Sequence, residues 1–407
     1  MKTLMMIRRM KEVLTWVWIA VIGTAICLNV CAQTPQDWKG LEKQLNFYMA
    51  NDLGRNGYYD QKPIAELMGE MADVIGPECV FAAGDVHHFE GVRSVNDPLW
   101  MTNYELIYSH PELMIDWFPI LGNHEYRGNT QAVLDYTNVS RRWSMPGRYY
   151  TKVFEKKGTA IRFVMIDTAP LIDKYRNESE TYPDACKQDM DQQLAWIDSV
   201  LTVAKEDWVV VIGHHPIYAE TSKDDSERSD MQKRLDPILR KHKVDIYACG
   251  HIHNFQHLRV PGSDIDYVVN SAGSLSRKVK PVEGTLFCSP EPGFSIFTAD
   301  KKELDMHMID KKGKVIYTVK PGTQTDTKIR LKGKGVPSLR NKNVRGDHYV
   351  TFVVQVPTNL NEEAKEALRK FDEACGNRPK SKDSDDFEKP EKKKKSFMDK
   401  LKETFED

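Results

Sequence analysis

Short apolar runs, several of them β-branched, recur at residues 46–50, 79–83, 118–121, 161–166, 208–212 and 244–248. Runs of this length and composition predict strands buried on both faces. Between them, residues 62–75, 191–204 and 229–242 place apolar side chains on one helical stripe; Leu194, Ile197, Val200 and Leu201 form the clearest case. Alternating strands and helices define an α/β layered fold. Beyond residue 248 the pattern turns strand-rich, at residues 255–260, 267–270, 293–299, 304–309 and 315–319. No internal repeat interrupts the series.

The ends of the first strands concentrate the polar chemistry. Asn51-Asp52-Leu53-Gly54 follows the first run, Gly84-Asp85-Val86-His87-His88 the second and Gly122-Asn123-His124-Glu125 the third. Gly213-His214-His215-Pro216 follows residues 208–212, and Gly250-His251-Ile252-His253 follows residues 244–248. Ligands of open α/β sheets bind beyond the carboxyl ends of strands, and a glycine before a site lets the chain turn back toward a shared centre. One Gly-Asp is ordinarily a turn. Five such segments in series, each closing a strand, are not explained as five separate turns. Their carboxylates, amide and imidazoles form a donor set for Zn, Fe or Mn rather than for Ca or Mg.

The order Asp-x-Gly, Gly-Asp, Gly-Asn-His-Glu, Gly-His-x-Pro, Gly-His-x-His resembles the calcineurin-like metallophosphoesterases. Gly91-Val92 with Asn96-Asp97, Arg142-Trp143-Ser144-Met145-Pro146 and residues 268–273 point to the tartrate-resistant purple acid phosphatase branch. The resemblance spans about residues 40–320 and implies two stacked mixed β-sheets flanked by helices, with two divalent or trivalent metal ions (Fe, Zn or Mn) at one edge. It places Asp52, Asp85 and His253 on one ion and Asp85, Asn123, His214 and His251 on the other, with Asp85 bridging. It makes His124 the general acid, and Glu125 is placed to hold it. The resemblance implies in-line attack on phosphorus by a water that the two metals would activate. His88 is the main departure: the purple branch has a metal-binding tyrosine there. Other branches carry Asp-x-His where this chain has Gly54, so His88 is the expected substitute ligand, with weaker preference for Fe(III). His215 and His257 lie near the motifs with open roles; Asp167 reads as structural.

Composition refines this picture. The 407 residues are 40% hydrophobic and 10% aromatic, which excludes wholesale disorder. The net charge of −1 hides +3 on residues 1–32, −8 on residues 33–320 and +4 on residues 321–407. With no global basic field, nucleic acid is not an expected partner. In residues 1–32, four basic side chains precede the uncharged apolar run 13–30 and the small-x-small pattern Val30-Cys31-Ala32. This reads as a cleaved signal peptide that touches the membrane only in transit, hence a periplasmic or extracellular protein; the alternative is a retained membrane anchor. Val30 makes a lipidated Cys31 a poor fit. The five cysteines beyond this leader are too sparse for a disulfide scaffold, and Cys79 and Cys249 read as buried thiols.

The chain changes character near residue 320. Pro321-Gly322-Thr323-Gln324, residues 329–337 and Arg345-Gly346-Asp347-His348-Tyr349-Val350 resemble the second C-terminal β-domain of DnaJ-type co-chaperones. Residues 361–374 predict a helix capped by Asn361, and residues 376–407 a charged linker with a short amphipathic end. The expected organisation is therefore a leader (1–32), a metallophosphoesterase domain (33–320), a small β-rich appendage with a terminal helix (321–375) and a tail (376–407), a candidate for docking a protein partner. The expected activity is phosphomonoester hydrolysis on small phosphate esters. The rivals are a phosphodiesterase or nucleotidase on the same metal core, and an extracytoplasmic chaperone-like binding protein with a vestigial phosphatase body.

Overall fold

The structure is a computed structural model describing Trp38, Leu41, residues 44–270, 273–319, 328–331 and 348–351, and Glu366. The leader 1–32, the tail 376–407 and most of residues 321–375 lie outside the described residues. Strands β1 (Leu45–Ala50), β2 (Val80–Ala82), β3 (Trp117–Pro119), β4 (Tyr150–Lys156), β5 (Thr159–Met165), β6 (Trp208–Ile212) and β7 (Ile246–Cys249) come first. They are followed by β8 (Phe255–Leu258), β9 (Asp266–Val269), β10 (Thr285–Ser289), β11 (Gly293–Ala299), β12 (Leu304–Asp310) and β13 (Val315–Val319). The three long amphipathic segments become α1 (Gln61–Ile75), α2 (Met190–Val203) and α3 (Ser226–Arg234).

Two mixed sheets result. One runs β13-β12-β11-β1-β2-β3 and the other β10-β8-β9-β7-β6-β5-β4. In the first, β1, β2 and β3 are parallel and β11 joins β1 antiparallel, with Phe47 opposite Phe297. In the second, β5, β6, β7 and β9 are parallel. Aromatic residues pack the two sheets together: Phe163 of β5 lies 4.9 Å from Phe47 and 4.2 Å from Phe81, ring centre to ring centre. Such pairs add about 0.5–1.5 kcal/mol each beyond the area they bury. Every residue of β1 is buried, which explains why its sequence shows a continuous apolar run rather than alternation. The expected α/β sandwich is the fold observed.

Two local differences have physical causes. The predicted helix 229–242 is two helices, α3 and a second at Asp236–Lys241, because Pro237 cannot donate its backbone nitrogen to a continuing helix. Strand β10 escaped the pattern because only Phe287 of its five residues is buried. Cys79 and Cys249 are buried free thiols, as expected. Among the described residues no helix is long and apolar enough to cross a membrane.

The chain divides into two compact units, Met1–Phe352 and Val353–Asp407. Within the first, Lys328–Leu331 (β14) and His348–Thr351 (β15) pair antiparallel as a separate two-stranded sheet. In the second only Glu366 is described; it is helical, within the predicted helix 361–374.

Candidate metal centre

The five motifs meet where the two sheets abut. Asp52, Asp85 and Asn123 follow β1, β2 and β3 of one sheet, and His214, His251 and His253 follow β6 and β7 of the other. Asp52, Asp85, His251 and His253 have left-handed φ angles of 54°, 53°, 73° and 59°. Non-glycine residues reach that region at a cost, and they cluster where side-chain direction matters. The glycines serve close approach more than turning. A Cβ on Gly122 would fall 2.2 Å from Asp85 Oδ1, and one on Gly250 2.6 Å from Asp52 Oδ2.

Asp85 Oδ2 is the focus. The Nε2 atoms of His214, His88 and His124 approach it to 3.2, 3.6 and 3.9 Å. Asp52 Oδ1 lies 3.7 Å from His253 Nε2 and 4.0 Å from His88 Nε2. Backbone carbonyls aim three of the rings: Nδ1–H of His214 donates to Ala83 O at 2.9 Å, that of His124 to Phe89 O at 2.9 Å, and that of His253 to Leu275 O at 3.1 Å. Each leaves its Nε2 turned to the centre. His251 is turned the other way. Its Nε2 meets Lys223 Nζ at 2.7 Å and Glu227 Oε2 at 2.8 Å. Its backbone N–H donates to Asp52 Oδ2 at 3.0 Å.

The donor set fits a metal pair. Asp52 Oδ1, both ring nitrogens of His88, Asn123 Oδ1, His214 Nε2 and His251 Nδ1 are buried without a hydrogen-bond partner among the described residues. Left so, each costs the fold about 1–3 kcal/mol; metal ions would satisfy all but one nitrogen of His88, since an imidazole offers one lone pair. Charge tells the same story. Burial pushes Asp52 up to about 6. Burial acts on Asp85 as well, yet the surrounding His214, His124 and His88 carry its carboxyl well below the usual range. Burial opposes protonation of His214, but Asp85 and Asp52 raise it to about 9. Buried carboxylates that draw positive charge onto His214 also favour a cation beside them, and ligand protons are displaced when a metal binds.

Gly54 explains His88. A side chain on Gly54 would meet the Val86 carbonyl oxygen at 2.2 Å, so no imidazole fits there, and the ring of His88 lies 5.5 Å from that of His253. Glu125 does not hold His124. It accepts the backbone N–H groups of Asp85 (2.9 Å), His87 (2.9 Å) and Gly122 (2.7 Å), locking two ligand loops together. His257 is bonded to Asp266 and Tyr317 and takes no part in the centre. Asp167 accepts the Tyr126 hydroxyl at 2.5 Å, a structural role. His215 is fully buried beside the centre, with Nδ1 at 2.7 Å from the Thr168 hydroxyl. Glu227 and Lys223 had no sequence signal, because they reach His251 from a polar loop and the first turn of α3. A cleft of about 280 Å³, lined by Asn123, His124, Arg127, Tyr182, Lys223 and His251 among others, opens on the centre.

Fold and centre together define a metal-dependent phosphoester hydrolase built on a two-sheet sandwich, in a family whose members hold a dinuclear metal centre. The calcineurin-like phosphoesterase family model matches residues 45–255, and the chain belongs to that family. Within it, the chain is similar to tartrate-resistant acid phosphatase type 5 of Oryctolagus cuniculus, 29% identical over 274 residues covering 64% of this chain and 80% of the relative. It is likewise similar to purple acid phosphatase 7 of Arabidopsis thaliana, 27% identical over 285 residues, 69% of this chain and 84% of the relative. Among solved structures it resembles GAP50, the anchor in the inner membrane complex of Plasmodium, with TM-score 0.59 and 25% identity over 69% of this chain and 89% of that one. The DnaJ C terminal domain model matches residues 292–357, a stretch that starts within the strands of the sandwich.

Proposed function

We propose that the protein is an exported phosphomonoesterase with a dinuclear metal centre. Asp52, Asp85, His88 and His253 hold one ion; Asp85, Asn123, His214 and His251 hold the other. The observation that carries this reading is the convergence of partnerless buried donors from five strand ends around Asp85. The metal pair, when bound, supplies Lewis acidity toward the phosphoryl oxygens and activates water. The chain's own residues do the rest. In its imidazolium form His124 carries at Nε2 the proton for the departing alkoxide, while its Nδ1–H stays on Phe89 O. Glu125 keeps the Asp85 and Asn123 loops in register.

Export rests on the leader at residues 1–32, with release to the periplasm or outside as the favoured fate and a retained anchor as the other. GAP50 is described as an anchor, which raises a purely structural role; the intact donor set here supports catalysis instead. The test is hydrolysis of p-nitrophenyl phosphate against its bis ester, after metal stripping and readdition of Fe, Zn or Mn. Faster turnover of the monoester with two ions bound is expected. Faster bis-ester turnover would make the protein a diesterase, and no turnover with any metal would make it a binding protein.

A further inference from the structure

Every ligand imidazole but one has its tautomer set by a carbonyl or has both nitrogens free. His251 is contested. A neutral imidazole carries one N–H and one lone pair. At its Nε2 stand an ammonium group that can only donate, Lys223 at 2.7 Å, and a carboxylate that can only accept, Glu227 at 2.8 Å. The two demand opposite tautomers. If Nε2–H donates to Glu227, the lone pair sits on Nδ1, which is buried without a partner and available to a metal. If Lys223 donates to Nε2, the proton moves to Nδ1 and His251 cannot ligate.

Flipping the ring would move Nε2 away from both groups and forfeit both contacts. The ring packs at 4.3 Å from the His215 ring and 5.1 Å from that of His214. Glu227 is firmly placed: it is buried on α3, and its other oxygen accepts Lys174 Nζ at 2.7 Å and the Tyr175 hydroxyl at 2.9 Å. Lys223 has somewhere else to go, because the His251 carbonyl lies 3.3 Å from its Nζ.

We propose that Glu227 and Lys223 are opposed positioning residues that set the tautomer of His251, Glu227 opening the second metal position and Lys223 closing it. The proposal rests on the dinuclear reading above. It predicts effects of opposite sign, which a merely structural role for either residue does not. Carboxylates behind metal-binding histidines typically alter affinity 10–100-fold. In the full-length protein, stripped and titrated with Zn(II) against a competing chelator, Glu227→Gln should weaken the second ion about tenfold or more. Lys223→Met should tighten it, and the double variant should return toward the parent. Imidazole ¹⁵N shifts of the metal-free protein give a second readout: Nδ1–H in Glu227→Gln and Nε2–H in Lys223→Met.

Weakening by both variants, or a second affinity indifferent to both, overturns the proposal while leaving the dinuclear centre in place. A parent protein that binds fewer than two ions defeats the dinuclear reading itself, and this proposal with it.

Discussion

At the scale of single residues, His124 and His88 give the sharpest tests. His124 Nε2 faces the centre with 20% of its side chain exposed, as a proton donor to a departing group must. His124→Ala should slow alkyl phosphates far more than p-nitrophenyl phosphate, whose leaving group needs no proton, by about 10²-fold in the ratio of kcat/KM. Equal losses would make His124 a positioning residue. At position 88 the purple branch uses a phenolate, and here the Tyr175 and Tyr182 hydroxyls near the cleft are bonded to Glu227 and Arg127. Tyr126 is committed to Asp167, and Tyr58 is 73% exposed. The iron-loaded protein should therefore lack a phenolate-to-iron absorption band, and His88→Tyr should acquire one; a strong band in the parent would remove His88 from the ligand set. Residues that close a strand behind a glycine could be identified in the sequence, because strand ends converge by topology. Glu227, Lys223 and Thr168 could not, since only tertiary folding of irregular segments brings them to the histidines. Glu125 was found but given the wrong partner: its side chain turns from its neighbour His124 to three backbone amides, a preference that no pattern of side chains records.

Elements explain why the motifs need their glycines. Gly122 has no left-handed φ; what it supplies is room, since Asp85 N would lie 2.6 Å from an added Cβ. Gly122→Ala must therefore push the β2 and β3 loops apart, breaking the shared grip of Glu125 on both. The expected result is a loss of about 1–3 kcal/mol in stability, as for other overpacked sites, with reduced metal content, checked by thermal melting and elemental analysis. Wild-type melting and full metal content would mean that the loops separate freely. Strands with continuous burial, such as β1, stood out in the sequence. An edge strand such as β10, which among the described residues pairs with β8 alone and has half-exposed residues, blends into the loops around it.

For the whole molecule, the question is where the phosphatase ends. Strand β13 is the outer strand of its sheet among the described residues, so a chain cut after Lys320 loses no described strand of the sandwich. We expect that truncation to fold, bind two ions and keep its turnover of small esters; an insoluble or metal-free product would place the boundary later. The DnaJ-like match begins at residue 292, ahead of the expected boundary at 321, and so includes β11, which pairs with β1 at the middle of the sheet. That portion serves the sandwich whatever its ancestry, and only the remainder can be a separate appendage. The sheets themselves meet through oily side chains, but at the mouth of the sandwich the joint is made of ligands: Asp52 from one leaf and His251 from the other are 199 residues apart in the chain and directly bonded. In the dinuclear reading proposed above, ions held there act as rivets between the leaves. Free metal a thousandfold above its Kd stabilises a protein by about 4 kcal/mol per site. Chelation should accordingly lower the melting midpoint by on the order of 10 °C, and amide exchange should quicken first along the rim where the leaves part.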